Sequence, residues 1–257
     1  MTPAVSVVIP VHDGARFLAQ AVHTVRDQGM ADVEIVVVDD GSADATARIA
    51  AGLAADPANR LRVVSITHGG PSAARNAGIA AARGGLLAFL DVDDSWPPGR
   101  LALLRRRLAA DPALDFVHGT LLFVHDDPAD GFWAAVHPQA APMAMPASFC
   151  TGLYRRRVFD AVGPLDEELS MGEDTDWFLR ATEMGRRYVV LDCVVLYYRL
   201  HGANLTRDRE ATKHAIRRVI TRSVMRRRRT GVLRPLPAPS DFLEAVTSEE
   251  GEWASVS

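Results

Sequence analysis

The sequence predicts an α/β protein: a single Rossmann-like, doubly wound and mostly parallel sheet flanked by helices, with a helical extension after it. Three observations lead there. Runs rich in Val, Ile and Leu recur at 4–11, 33–42, 60–66 and 85–92, continuous rather than alternating, as in strands covered on both faces. Segments of helical periodicity separate them, and strand–helix–strand alternation makes βαβ units. The tips at 10–13, 39–42 and 91–94 are polar, and such sheets bind ligands beyond the carboxyl ends of their strands.

AVSVVIPV (4–11) is β-branched and of strand length, with Pro10, which cannot donate to a central ladder, marking its end. In GARFLAQAVHTVRDQ the residues Phe17, Leu18, Ala21, Val22 and Val25 share one helical face. VEIVVVDDGS (33–42) is the second strand, 44–55 a helix, and RLRVVSI (60–66) the third strand. The Ala- and Gly-rich segment 71–84 is a helix suited to close packing on the sheet, and GLLAFLDV (85–92) is the fourth strand. Beyond Trp96 a helix at 99–110 presents Leu101, Leu104 and Leu108, and DFVHGTLLFV (115–124) reads as a strand. The Pro-, Ala- and Asp-rich stretch 125–148 reads as a loop, 173–185 as a helix with Trp177, Phe178 and Ala181 inward, and 186–200 as one long or two short strands.

Composition narrows the function. A net charge of −3 over 257 residues gives no reason to expect a nucleic-acid partner. No apolar run reaches the roughly 18 residues of a membrane span and no secretory leader is evident, so the expected compartment is the cytoplasm. Cys150 and Cys193 lack CxxC spacing, which argues for buried thiols rather than zinc ligands or a disulfide.

Chemistry concentrates in LLAFLDVDDSW, where a buried strand runs into Asp91, Asp93 and Asp94. A loop could expose these carboxylates to water, or a divalent cation such as Mg²⁺ or Mn²⁺ could neutralise them with phosphates and water completing its shell. An EF-hand is disfavoured because its turn glycine and its twelfth-position Glu are missing. Asp39, Asp40, Gly41 and Ser42 read alone as a turn, but a strand-end Asp can also accept from a nucleobase or ribose. The chain has neither GxGxxG after its first strand nor a GxxxxGK[ST] loop, leaving a nucleotide plus a metal held without either glycine fingerprint.

SVVIPVHDGARFLAQAV, VEIVVVDDGSADAT, GGPSAARNAGIAAARGGLLAFLDVDDSW, VGPLDEELSMGEDTDWFLRA and YYRLHGANLT together resemble the successive motifs of family 2 glycosyltransferases, over about residues 4–206. The resemblance implies a GT-A fold and an inverting enzyme that spends a nucleotide sugar, most often a UDP-sugar, with a divalent Mn²⁺ or Mg²⁺. It implies a catalytic domain at 1–206, with 1–95 as the nucleotide-binding half and 96–206 as the acceptor-side half; beyond it, charge and composition lead us to expect a basic helical extension at 207–234 and a flexible tail at 235–257. It places Asp40 and the Pro10 and Val11 backbone at the base and ribose, Asp91 at the ribose, and Asp93 on the metal with Asp94 as a supporting neighbour. Arg75 and Asn76 fall near the donor pocket, where they can hold the acidic loops.

Inversion needs one general base, and no acid if a metal stabilises the leaving diphosphate. Glu173, Asp174 and Asp176 open a helix, where acids commonly just favour the macrodipole. The resemblance selects Asp174 as base, with Glu173 supporting. It also offers His201 as a second metal ligand, against the ordinary reading of a turn histidine. His12, His68 and His118 are read as unremarkable, and Arg155, Arg156 and Arg157 as a solvated basic turn rather than a diphosphate contact.

Two rival functions remain: a sugar-nucleotide-binding protein without transfer, and a sugar nucleotidyltransferase, disfavoured because PVHDGARF has no Gly-rich triphosphate loop. The acceptor, whether saccharide, lipid-linked glycan, natural product or peptide, is not legible. Residues 207–234 carry ten Arg and one Lys against Asp208 and Glu210, a net of +9. The apolar residues Ala215, Val219, Ile220 and Val224 on this helix could rest on an anionic membrane at its inner face, or pack on the domain with the arginines in water, the reading preferred.

Overall fold

A computed structural model describes residues 4–125, 148–202, 209–231 and 243–244 of the chain. The strands are β1 (Val5–Val11), β2 (Val33–Asp40), β3 (Leu61–Ile66), β4 (Leu86–Phe89), β5 (Phe116–His125), β6 (Gly152–Arg155), β7 (Tyr188–Leu200) and β8 (Leu243–Glu244). The helices are α1 (Leu18–Arg26), α2 (Thr46–Ala55), α3 (Gly70–Ala81), α4 (Arg100–Ala110), α5 (Arg156–Val162), α6 (Glu173–Glu183) and α7 (Arg209–Thr230). They build one mixed, mostly parallel sheet in the order β3-β2-β1-β4-β6-β5-β7-β8. Among the described residues only β6 runs against its neighbours, β4 and β5.

The order explains the buried valines. β1 and β2 lie inside the sheet with helices over them, and Val7, Val8, Val36, Val37 and Val38 are fully buried. Gly78 of α3 makes the close approach possible: a Cβ there would sit 2.2 Å from Val8 Cγ1 and 3.2 Å from Val38 Cγ2. Any larger residue would lift the helix that carries Arg75.

Pro10 does not end β1, which runs one residue further and registers Val11 against Asp39 of β2. On its other edge β1 pairs with β4 until Leu90 N–H donates to Val8 O. Backbone groups alternate sides, so the next β1 donor toward β4 would be Pro10, which has none, and β4 is released there. The chain beyond it is therefore available to form the Asp91–Asp94 turn, closed by Asp94 N–H on Asp91 O.

The stretch 186–200, expected as one long or two short strands, is one long strand, β7, paired along its length with β5. Two expectations change. Arg155, Arg156 and Arg157 do not form a solvated turn: Arg155 donates to the carbonyls of Leu108 and Leu114, Arg156 to those of Ile79 and Gly84, and Arg157 to Pro112 and Asp115. Arg155 registers with Leu86 at the start of β4, the end of the sheet opposite the acidic rim. The α7 seam is also different from a simple apolar stripe. Val219 and Ser223 are buried, Arg222 pairs with Asp166 and Glu168, and Arg226 pairs with Asp176 and Glu183, while Ile220 stays 50% exposed. Because long arginine stems pack while their heads bond acids, the seam is amphipathic rather than hydrophobic. The 125–148 loop and the 235–257 tail lie almost wholly outside the described residues; within the tail, β8 pairs in parallel with β7.

Candidate active site

The rim at the carboxyl ends of β1, β2 and β4 is one surface because the three strands are adjacent and parallel. At its outer side Asp40 closes β2, 3% exposed, with Oδ1 accepting from Gly69 N at 2.7 Å and Oδ2 from Gly70 N at 2.9 Å. Asp39 accepts from Ser42 N. Asp13, at φ +49°, accepts from Ala43 N and Asp44 N and ties the turn after β1 to the turn after β2. Pro10 and Val11 border this corner as the last residues of β1.

The central acids follow β4. Asp94 is buried and accepts from Arg199 N at 3.0 Å. Ser95 and Tyr197 exchange two backbone bonds at 3.2 and 2.9 Å, pinning the acidic turn to β7. His201, just past β7, donates from Nε2 to Asp93 Oδ2 at 2.9 Å, and its ring stacks on Phe17. The expected pair of Asp93 and His201 is thus brought together across 108 positions of sequence. Burial, and next the Asp91 charge, push Asp93 above the usual carboxylate range while the bond from His201 opposes them. Burial raises Asp94 much further, with Asp93 and Asp91 adding.

The third group comes from α3 and α6. Arg75, 4% exposed, donates from Nη2 to Asp91 Oδ1 and from Nη1 to Glu173 Oε1, both at 2.7 Å, and lies 3.7 Å from Asp174 Oδ1. Asp174 accepts from Phe149 N at 3.0 Å through Oδ2, while its buried Oδ1 has no hydrogen-bond partner among the described residues. Its carboxyl is pushed up to about 8, by burial first and by Glu173 and Asp91 after it, against the pull of Arg75. A carboxyl with that proton affinity can take a proton near neutrality. Asp176 is different, paired with Arg180 and Arg226 and so part of the scaffold.

The Asn76 amide donates to Leu165 O and Glu167 Oε1 and accepts from Leu165 N, so it clamps the segment leading to α6. Trp177 is fully buried, as expected of a core residue. His118 is buried too, bonded to Thr151 and Tyr154 and held down at about 3 by burial.

Sequence reasoning missed Arg199, whose Nε donates to Asp93 O and whose Nη2 donates to Gln20 Oε1, fixing the acidic turn from β7. It also missed His12 and His68, stacked at 4.1 Å beside Asp40. No local pattern marks Arg199; the two histidines were marked only by following adjacent strands.

An acidic rim on a mostly parallel sheet, closed by one reversed strand, is the GT-A arrangement. The comparisons agree. The sequence model described as glycosyl transferase family 2 matches residues 6–143. The chain belongs to that family. An uncharacterized glycosyltransferase of Nostoc, alr2836, is 28% identical over 211 residues, covering 78% of this chain and 66% of its own length. Among solved structures, S. aureus TarS 1-349 in complex with UDP-GlcNAc aligns with a TM-score of 0.67 at 20% identity, over 84% of this chain and 65% of that one. The mannosyltransferase PcManGT from Pyrobaculum calidifontis, in complex with GDP-Man and Mn²⁺, aligns at 0.66 and 19%, over 93% and 67%. The chain thus spans about two thirds of these proteins, and the structural likeness speaks for the fold.

Proposed function

We propose that this chain transfers a sugar from a nucleotide donor, a UDP-sugar, to an acceptor hydroxyl with inversion, and that Asp174 is the general base. One observation carries the reading: Arg75 reaches Asp91 on the rim and Glu173 on α6 with equal 2.7 Å bonds, so the donor-side acids and the proton acceptor share one charge network. Asp40, Pro10 and Val11 border the base end, and Asp91 the ribose. As the acceptor oxygen bonds to the anomeric carbon, the carbon–diphosphate bond breaks and the acceptor proton passes to Asp174. The nucleoside diphosphate departs from the opposite face.

Asp93 and His201 fit a divalent cation such as Mn²⁺ or Mg²⁺. They offer an oxygen and a nitrogen 2.9 Å apart, and Asp93 is a half-buried carboxylate, its side chain 26% exposed, whose charge is opposed by Asp91. A bound cation would supply positive charge for the leaving diphosphate. The Mn²⁺ held by the PcManGT complex supports this choice.

The proposed test is a panel of nucleotide sugars scored by melting temperature with and without Mn²⁺, followed by release of nucleoside diphosphate. Expected is a Mn²⁺-dependent rise with a UDP-sugar that Asp93→Ala removes, since only a ligand of the folded state stabilises it. Binding without release to any acceptor would favour a sugar-nucleotide-binding protein, and pyrophosphate as product would favour nucleotidyl transfer. On α7, Ile216 and Ile220, one helical turn apart, are exposed beside Arg217, a surface suited to an anionic membrane. No helix among the described residues is long and apolar enough to cross a membrane.

A further inference from the structure

Arg100, the first residue of α4, is fully buried. Among the described residues the acidic groups that face it are the Cys150 and Cys193 thiols and the Tyr154 phenol, which burial raises and so keeps neutral at pH 7. No carboxylate there balances it. Burial pulls Arg100 itself down to about 9, so it still carries its charge at pH 7. Its Nε and Nη1 have no hydrogen-bond partner among the described residues. An apolar side chain would fill the same core without that desolvation cost, so the retained guanidinium calls for a use.

The use is read from Nη2, which donates to Cys150 O at 2.7 Å and to Gly152 O at 3.0 Å. These carbonyls belong to the 3₁₀ turn Phe149–Thr151 and to the first residue of β6. The guanidinium carbon stands 3.9 Å from the centroid of the Trp96 ring, which fixes the fork in its plane. Trp96 directly follows Ser95, which is bonded to Tyr197 of β7, so the anchor is tied to the acidic turn. The same short segment is held at Ser148 O by the Thr151 hydroxyl and at Phe149 O by the Tyr154 hydroxyl. With those carbonyls fastened, the Phe149 N–H points at Asp174 Oδ2 across 3.0 Å, the one hydrogen bond Asp174 receives among the described residues.

We infer that Arg100 is a positioning residue for the general base: by gripping Cys150 O and Gly152 O it keeps the Phe149 N–H on Asp174 and so fixes the carboxylate that takes the acceptor proton. This deepens the reading of Asp174 as base and rests on it. Asp174 is faced by Arg75 from α3, Asp91 from the turn after β4, Glu173 from its own helix, the Cys150 thiol from the 3₁₀ turn and Tyr154 from β6. Arg75 and the Phe149 N–H favour its charged form against burial and the neighbouring acids. Slackening the grip on the turn withdraws the second of these.

The test titrates Asp174 itself, by ¹³C NMR of the aspartate-labelled full chain, with the signal identified by its loss in Asp174→Asn. Arg100→Met should raise the midpoint, near 8 in wild type, by about one pH unit, the worth of one bond to a charged group. Arg100→Lys keeps the charge and ends one bond short of Nη2, and should shift the midpoint the same way; a shift with Met that is absent with Lys assigns the effect to charge and overturns the inference. Trp96→Leu leaves Arg100 in place without its stacking partner and should also raise the midpoint, so it reads the anchor even where the Arg100 variants fail to fold; an unmoved midpoint overturns the inference. Sugar transfer at pH 7 by Arg100→Met should fall roughly tenfold with the donor KM unchanged, whereas a fall with an unmoved midpoint reduces Arg100 to packing. Because the titration uses no sugar nucleotide, a shifted midpoint in a chain without transfer would sink the transferase reading and leave the anchor standing.

Discussion

Replacing Arg75 with Met tests the central network most directly. Methionine keeps most of the stem volume and removes the charge that faces Asp91, Glu173 and Asp174. Each 2.7 Å charge-assisted bond contributes about 1.5–3 kcal/mol, and removing one partner of a buried ion pair costs about 3–5 kcal/mol. Asp91, whose side chain is 33% exposed, regains water and counts for less than Glu173 at 12%. An opposing effect comes from Arg75 Nε, which is buried without a hydrogen-bond partner. Its removal recovers about 1–3 kcal/mol. The net expectation is a loss of about 3 kcal/mol, or roughly 6–12 °C in melting temperature for a chain of this size.

The pH dependence separates this mechanism from simple loss of packing. Arg75 lowers the proton affinity of Asp174 in the native state, so without it the folded variant binds more protons than wild type. Where the native state holds extra protons, stability falls as pH rises. Urea unfolding of Arg75→Met should therefore show a larger deficit at pH 8.5 than at pH 6, where Asp174 holds its proton with or without Arg75. A deficit that is equal at the two values, or below about 1 kcal/mol at pH 8.5, would refute the charge network as the role of Arg75.

Other consequences follow from single positions. With Asp174 pushed up to about 8, its basic form is scarce at pH 6, so sugar transfer should climb with pH through 8 and level off about a unit above it; a flat profile between 6 and 8 would exclude it as the base. Asp174→Asn should keep UDP-sugar binding and reduce transfer by about 10²–10⁴-fold. Gly78→Ala gains about 1 kcal/mol of helix propensity but drives a Cβ to 2.2 Å from Val8 Cγ1. Overpacking, at about 1–3 kcal/mol, outweighs the gain, and urea titration should show a net loss. For α7, sedimentation with anionic vesicles should be weakened by Ile220→Asp, since that side chain is 50% exposed and outside the seam; unchanged sedimentation would remove the membrane surface.

The first half of the fold was legible because each strand there carries its whole signal locally: a β-branched run, a polar tip, and a helix that folds back. Asp40 and Asp91–Asp94 could be placed on one rim from that alternation alone, since parallel strands force their tips to the same side. The second half breaks the rule that made this possible. β6 is four residues long and antiparallel, and its pairing with β4 and β5 depends on partners more than 30 positions away, so no periodicity announces it. Arg155, Arg156 and Arg157 illustrate the same limit: a basic run has the same composition whether its guanidinium groups meet water or carbonyls. At the candidate site the acids were visible as a repelling cluster that needed an explanation, but their arrangement was set by groups without a local signature. Arg75 sits in an Ala-rich helix, Arg199 ends an aromatic strand, and Phe149 contributes only its backbone N–H. What sequence displays is the charge that must be compensated; which residue compensates it is decided by strand order, and strand order is a property of the whole chain.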